Sequence, residues 1–199
     1  MAAATDAAET GGEPREPYVR KIVANLFTSL DGVVEAPDKW SLRYWNDEIG
    51  RAVGAGMAAA DAMLLGRVTY EGFAEAWPGR TVEDDEGAEF MNSVRKYVLS
   101  STLTEVTWNN STLLTGDPAE AIRALKAEPG GSIMTSGSTT AVRWLLTEGL
   151  IDELNLLLYP IVVGRGKRLF PAEGPSFPLV LAKSATFSNG VVQLTYVPA

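Results

Sequence analysis

Strand-like and helix-like segments alternate along most of this chain, and a hairpin pattern follows them at the end. Residues 18–27 and 153–159 have the β-branched, aromatic and apolar content typical of strands. Asn189-Gly190 is a residue pair that favours a tight hairpin turn. Alternation of this kind needs crossover connections, which produce parallel strands with helices on both faces. The sequence therefore predicts one α/β domain over residues 18–199, with a mainly parallel central sheet and an antiparallel C-terminal hairpin.

The chain contains no histidine and no cysteine, and this restricts its chemistry. The absence of histidine excludes a Ser-His-Asp or Cys-His nucleophile system. Without either residue a zinc site of the usual kind cannot form, so we expect no metal. Any acid or base must be Asp, Glu, Lys or Tyr, unless a cofactor carries the reaction. The lack of disulfides agrees with a cytoplasmic location.

Charge and hydropathy exclude two classes of partner. The net charge is −8, whereas a nucleic-acid-binding protein needs a basic face. No apolar run reaches about 18 residues, so the sequence contains no transmembrane segment. We therefore expect a small-molecule substrate, with neither nucleic acid nor membrane as a partner.

Three segments become polar or glycine-rich where a short strand ends. They are residues 66–69, 100–102 and 136–140, and two of them stand where a helix begins. Backbone N–H groups and hydroxyls at such positions bind anions, and ligands of open α/β sheets sit at the carboxyl ends of the strands. Gly and Ser after strands are also ordinary turn residues, so each segment alone is weak evidence. Together they suit a phosphorylated dinucleotide.

Five sequence segments, in this order, resemble the dihydrofolate reductase superfamily. The closer branch is the reductase domain of riboflavin biosynthesis, which forms the C-terminal part of a bifunctional deaminase-reductase. The resemblance covers residues 19–197 and implies a dihydrofolate-reductase-like, three-layer α/β fold. The segments that carry it are FTSLDG at 27–32, LLGRVTYE at 64–71, VLSSTL at 98–103, GLIDEL at 149–154 and PIVVGRGKRLF at 160–170.

The resemblance implies that NADPH is the cofactor. By this resemblance, the segment at 66–69 holds the cofactor phosphates, a serine of 100–101 contacts the 2′-phosphate, and the turn at 136–139 receives the pyrophosphate. The corresponding turn of folate reductases is usually Gly-Gly, whereas here it is Ser-Gly, so the role is carried over without the detailed backbone geometry. The cofactor-binding residues implied are Gly66, Arg67, Thr69, Ser100, Ser101, Gly137, Ser138 and Thr139.

The resemblance also places substrate near the first strand. Ser29 and Asp31 lie in the loop that closes over nicotinamide and substrate in the riboflavin branch, and Trp40 lies in a tryptophan segment that follows. Asp31 is the expected catalytic acid or proton relay, because few acids remain in a chain without histidine. Two alternatives stay open: Asp31 as a turn former beside Gly32, and Trp40 as a core or dimer-interface residue.

The function implied is hydride transfer from NADPH to a small heterocycle of the ribosylaminopyrimidine type. No deaminase domain accompanies the reductase segments in this sequence. The alternatives are a reductase of another metabolite and a non-catalytic NADP-binding or sensor protein on the same fold. Relatives in the riboflavin branch associate through the C-terminal hairpin, so a homodimer is expected.

The first 17 residues are rich in Ala, Glu, Gly and Thr and offer little apolar surface to offset the entropy lost on ordering. We therefore predict a disordered and dispensable tail. A chain that begins at Pro17 should keep the melting temperature of the full chain in thermal unfolding. A drop of more than about 5 °C would contradict this, since it corresponds to roughly 1 kcal/mol or more at this size.

Overall fold

The computed structural model describes residues 19–199, which contain eight strands in a single sheet. The strand order across the sheet is β4-β3-β2-β5-β1-β6-β8-β7. Strands β1 to β6 run parallel, and β8 pairs antiparallel with both β6 and β7. The strands are β1 (Ile22–Ser29), β2 (Ala60–Gly66), β3 (Arg95–Leu99), β4 (Ser111–Leu113), β5 (Ser132–Thr135), β6 (Glu153–Tyr159), β7 (Leu179–Thr186) and β8 (Val192–Pro198).

Helices fill the crossover connections. The Asn46 side chain caps the first helix by accepting a hydrogen bond from the backbone N–H of Ile49. The Asp117 side chain caps the fourth by accepting one from the backbone N–H of Glu120. These caps satisfy N–H groups that have no partner inside the helix. Two short 3-10 helices, Pro37–Lys39 and Leu42–Tyr44, follow β1. The α-helices are α1 (Asp47–Ala59), α2 (Arg67–Ala76), α3 (Ala88–Ser93), α4 (Pro118–Ala127) and α5 (Thr139–Thr147).

Alternation along the strands divides the apolar side chains between two layers. In β2, Ala62 and Leu64 pack with α4 and α5, whereas Met63 and Leu65 pack with α2 and α3. A third cluster, which includes Ile49 of α1 and Tyr159 of β6, lies on the α2 side of the sheet near the ends of β1 and β6. Helices thus cover both faces, and the predicted fold class is confirmed.

The first strand differs from the prediction. It runs over Ile22–Ser29 rather than residues 18–27, because its pairing with β6 continues until Ser29 lies beside Tyr159. Ser29 therefore belongs to the strand, and the turn begins after it. The glycines of α1 differ in their surroundings: Gly56 approaches the sheet near Asn25, whereas Gly50 and Gly54 face open space. The predicted tail lies outside the described residues.

Among residues 19–199, no strand pairs with the outer side of β7, which forms one edge of the sheet. Val180 and Leu181 are about half exposed on it, at 51% and 49%. An exposed apolar edge strand is normally covered or paired, because its free N–H and C=O groups attract another strand. We propose that a second copy of this chain covers it.

Light scattering at micromolar concentration should give twice the mass of the single chain. Leu181→Asp should yield the single-chain mass, because it places a charge in the proposed interface. Val82→Asp is the matched control, since Val82 is 58% exposed and lies in the α2–α3 connection rather than on this edge. A monomeric wild-type protein would refute the dimer.

Candidate functional site

A cavity of about 530 Å³ opens above the carboxyl-terminal halves of the central strands. Its floor comes from β1, β5 and β6, and its walls come from α1, α2 and the start of α5. The loop after β1 and Lys167 line the same space. This is where a parallel sheet offers strand ends and helix N-termini to a ligand.

Two glycines bring the ends of β2 and β5 into close contact at one side of this cavity. The N–H of Gly66 donates to the carbonyl of Gly137 at 3.1 Å. A Cβ atom at Gly66 would lie 2.8 Å from the backbone nitrogen of Ser138, and one at Gly137 would lie 2.7 Å from Thr69 Oγ1. Gly137 also has φ +143°, and the Gly137-Ser138 peptide bond is cis. Only glycine fits at either position without moving the backbone.

This contact places two helix N-termini beside each other. Gly66 is the N-cap of α2 and Ser138 the N-cap of α5, and neither helix receives a capping hydrogen bond from the side chain of its N-cap residue. Thr69, Ser138 and Thr139 line the cavity from these first turns. Free N–H groups and the positive ends of two helix dipoles favour an anion here. The structure therefore brings together five of the predicted cofactor residues, and all but Gly66 line the cavity: Gly66, Thr69, Gly137, Ser138 and Thr139.

Arg67, Ser100 and Ser101 lie at the same sheet edge but outside the cavity lining. Arg67 is the first residue of α2 and forms an ion pair with Glu71 at 2.9 Å. Ser100 follows β3, whose last residue, Leu99, pairs with Gly66. The Ser100 hydroxyl accepts hydrogen bonds from the backbone N–H groups of Thr102 and Leu103. Ser101 is exposed.

Asp31 is held by the loop that follows β6. Its carboxylate accepts hydrogen bonds from the Ser29 hydroxyl at 2.7 Å and from the N–H groups of Val163 and Gly164 at 3.0 and 2.9 Å. Arg168 donates to the Asp31 carbonyl at 2.7 Å. The Ser29 hydroxyl, followed by the Val163 N–H, holds the pKa of Asp31 well below its usual range. These contacts favour the turn-stabilising alternative over a proton donor.

Ser29 and Trp40 lie in packed surroundings rather than in the cavity wall. Ser29 is buried, and its hydroxyl also accepts a hydrogen bond from the Val33 N–H at 2.9 Å. Trp40 is buried, donates its indole N–H to the Glu35 carbonyl at 3.0 Å and meets the Tyr159 ring edge-on. The contacts of Trp40 favour the core alternative. Its neighbours Ser41 and Trp45 line the cavity instead.

Sequence reasoning missed several polar residues that line the cavity. From α1 the lining residues are Ala52, Val53 and Met57, so this helix offers no carboxylate to the cavity. The sequence did contain one usable pattern: Asn25 and Asn155 interrupt apolar strand segments, and a polar residue inside a buried strand is the informative exception. The missed polar residues are Asn25, Glu35, Asp38, Asp85, Asn155 and Gln193.

No helix within residues 19–199 has the length and apolar character needed to cross a membrane. The same residues contain no group of three or more His, Cys, Asp or Glu side chains that could hold a metal ion.

Comparison with known proteins identifies the family. Residues 20–193 match the family described as the RibD C-terminal domain. The chain belongs to this family. It is 29% identical over 182 residues to the uncharacterized Bacillus subtilis protein YyaP and 31% identical over 185 residues to the uncharacterized YwjB of the same organism. The matches cover 89% and 90% of this chain and 94% and 99% of those proteins.

Solved structures agree with this family assignment. A putative riboflavin biosynthesis protein from Shewanella sp. PV-4 is 25% identical, with a TM-score of 0.72 over 90% of this chain and 99% of that one. The dihydrofolate reductase of Enterococcus faecalis shares the fold at 16% identity, with a TM-score of 0.59 over 89% of this chain and 96% of that one. The predicted resemblance and the dihydrofolate-reductase-like fold are therefore confirmed.

The hydrogen bonds to Asp31 generate a pH-dependent prediction. Because the folded-state pKa is lowered, the ionised carboxylate stabilises the fold above the unfolded pKa of about 4, and this contribution is lost as pH falls further. Asp31→Asn should therefore lower the melting temperature at pH 7. The difference from wild type should shrink as pH falls from about 5 toward 2.

Asp38→Asn is the control, because Asp38 is exposed and pairs only with the neighbouring Lys39 among the described contacts. It should change the melting temperature little at either pH. The catalytic assignment of Asp31 stays a prediction, and kinetics decide it. A lower kcat in Asp31→Asn with unchanged NADPH affinity would support catalysis, whereas an unchanged kcat would leave Asp31 a structural residue.

Proposed function

We propose that this protein is an NADPH-dependent reductase that acts on a small heterocyclic substrate of the ribosylaminopyrimidine type. The observation that carries the proposal is the cavity itself. Two adjacent helix N-termini bound the cavity at one side. From there it extends toward the loop after β1, over a sheet floor that carries both apolar and polar side chains. Membership of the RibD C-terminal domain family supports the same reaction class.

The residues around Gly66 and Gly137 fit a dinucleotide phosphate. They leave a cradle that a Cβ atom would fill, with backbone N–H groups and the hydroxyls of Thr69, Ser138 and Thr139 around it. A dihydrofolate reductase of the same fold was solved in complex with NADP(H). When bound, NADPH supplies the hydride. The protein's own part is to orient the reacting groups and exclude water.

Two carboxyl groups in the cavity wall can supply the proton that accompanies the hydride. Glu35 and Asp38 line the cavity from the loop after β1, whereas Asp31 does not. The backbone N–H of Lys167 donates to Glu35 at 3.2 Å, and the Lys167 ammonium lies 3.8 Å from the other carboxylate oxygen. In the proposed function, geometry therefore favours Glu35 or Asp38 as the acid. Either carboxyl group would act directly or through one water.

The test of function is consumption of NADPH. With 5-amino-6-(5-phosphoribosylamino)uracil supplied, the absorbance of NADPH should fall, and it should stay constant without substrate. Tight NADPH binding without turnover on this compound or on related pyrimidines and pterins would instead favour the non-catalytic sensor. No NADPH binding at all would overturn the proposal.

Preference for NADPH over NADH tests the cofactor assignment. Arg67 is exposed beside Ser100 and Ser101, and its surface ion pair with Glu71 is weak enough to be exchanged for a phosphate. Arg67→Ala should weaken NADPH binding by roughly 1–3 kcal/mol and leave NADH binding nearly unchanged. Titration calorimetry with both dinucleotides measures the difference.

Glu71→Gln is the matched control, because it frees Arg67 without removing it. NADPH should bind this variant as tightly as wild type, or more tightly. Equal dissociation constants of the wild-type protein for NADPH and NADH would contradict the assignment of Arg67 and the two serines to the 2′-phosphate.

A further inference from the structure

Two asparagines lie side by side in the floor of the cavity. Asn25 of β1 and Asn155 of β6 are directly in register, and Asn155 Nδ2 donates to Asn25 Oδ1 at 3.1 Å. Both residues line the cavity. We call them the amide pair. Because residues in register share one face of a sheet, the pair lies in the layer that also contains α1 and α2.

The amide pair interrupts the apolar layer on this face. On one side lie Met63 and Met134 of one hydrophobic cluster, and on the other lie Phe27 and Leu157 of another. Leucine or valine at these two positions would join the clusters and bury more apolar surface. The fold therefore gives up stability to keep a polar strip in the centre of the cavity floor.

The hydrogen bond between the two amides satisfies one polar atom of each side chain and leaves the other without a partner. Asn25 Nδ2 and Asn155 Oδ1 are buried and have no hydrogen-bond partner within residues 19–199. One is a donor and the other an acceptor, and a rotation of each amide exchanges these positions. A buried amide atom without a partner is costly, so unpaired atoms in a cavity floor indicate a partner supplied from outside the chain.

We propose that the amide pair recognises a neutral ligand edge carrying an acceptor beside a donor, which is the pattern of a cyclic amide or urea ring. Rotation about the side-chain torsions turns the Asn25 donor to a ring carbonyl and the Asn155 acceptor to the adjacent ring N–H. This inference rests on the proposed function, since the ligand is the substrate of that same cavity.

The distribution of charged residues around the cavity supports a neutral ligand edge at the amide pair. Neither amide ionises, and Ser136, which follows β5 beside Asn25, adds only a hydroxyl to the cavity wall. The charged residues of the lining, Glu35, Asp38, Asp85 and Lys167, come from loops rather than from the sheet floor. An ion placed on the amide pair would lose hydration without gaining a counter-charge there, whereas a neutral amide edge would gain two hydrogen bonds.

The experiment compares uracil with 1,3-dimethyluracil, which keeps the ring carbonyls and lacks both N–H donors. Binding to the full chain is followed by ligand-observed NMR up to about 10 mM, with and without saturating NADP⁺, because a fragment of this size binds weakly. Uracil should bind at least about tenfold more tightly than its dimethyl analogue. Equal binding of the two rings, or no binding of uracil, would overturn the proposal.

Variants assign the effect to the amide pair. Asn25→Leu and Asn155→Leu should each abolish the preference for uracil, and so should Asn25→Asp, which keeps the shape but removes the donor. Thr195→Val is the control, because Thr195 pairs with Asn155 on the same face but does not line the cavity. It should keep the preference. Retention of the full preference in Asn25→Leu and Asn155→Leu would contradict the inference.

A second readout separates recognition from a structural role. If the amide pair serves a ligand, the double variant Asn25→Leu/Asn155→Leu should leave the free energy of unfolding in urea unchanged or raised, because it removes both unpartnered buried atoms together with the hydrogen bond between the amides. A marked loss of stability would show instead that the pair holds the sheet together. NADPH titration of the same variants should be unaffected. Failure of wild-type NADPH binding would refute the reductase, while the uracil comparison without NADP⁺ still tests the amide pair.

Discussion

The close contact between the ends of β2 and β5 is the constraint on which the site depends. Gly66 and Gly137 let two backbone segments meet with a 3.1 Å hydrogen bond where any side chain would collide with Ser138 or Thr69. Because α2 follows β2 directly and α5 begins soon after β5, this contact also sets two helix N-termini side by side. The paired helix N-termini, a geometry that favours an anion, therefore follow from backbone packing rather than from charged side chains.

In the sheet floor, by contrast, polar side chains interrupt the apolar packing. Met63 and Met134 of one cluster and Phe27 and Leu157 of the other could have formed a single apolar layer, yet Asn25 and Asn155 lie between them. A half-satisfied amide pair is a poor choice for stability alone. Natural proteins break local rules of this kind at functional sites and compensate for the cost elsewhere, here through the large apolar cluster under α4 and α5.

Asp31 fixes the position of the loop after β1. Asp31 joins the end of β1 to the loop after β6 through two backbone N–H groups, and Arg168 reinforces the link. Charge-assisted hydrogen bonds of this sort fix a loop firmly. Glu35 and Asp38 lie a few residues further along the same loop, so Asp31 helps to place the carboxylates that line the cavity.

The sequence alone determined the fold class, because strand and helix periodicities, helix caps and the Asn-Gly turn are local properties. It also indicated the glycine-containing segments after β2 and β5, since Gly66 and Gly137 act through the backbone contact that they allow. Only the tertiary structure decided which side chains share the cavity. Asn25 and Asn155 are 130 residues apart and meet through strand pairing. The partners of Asp31 likewise lie 132 and 133 residues away, and no local pattern records such pairings.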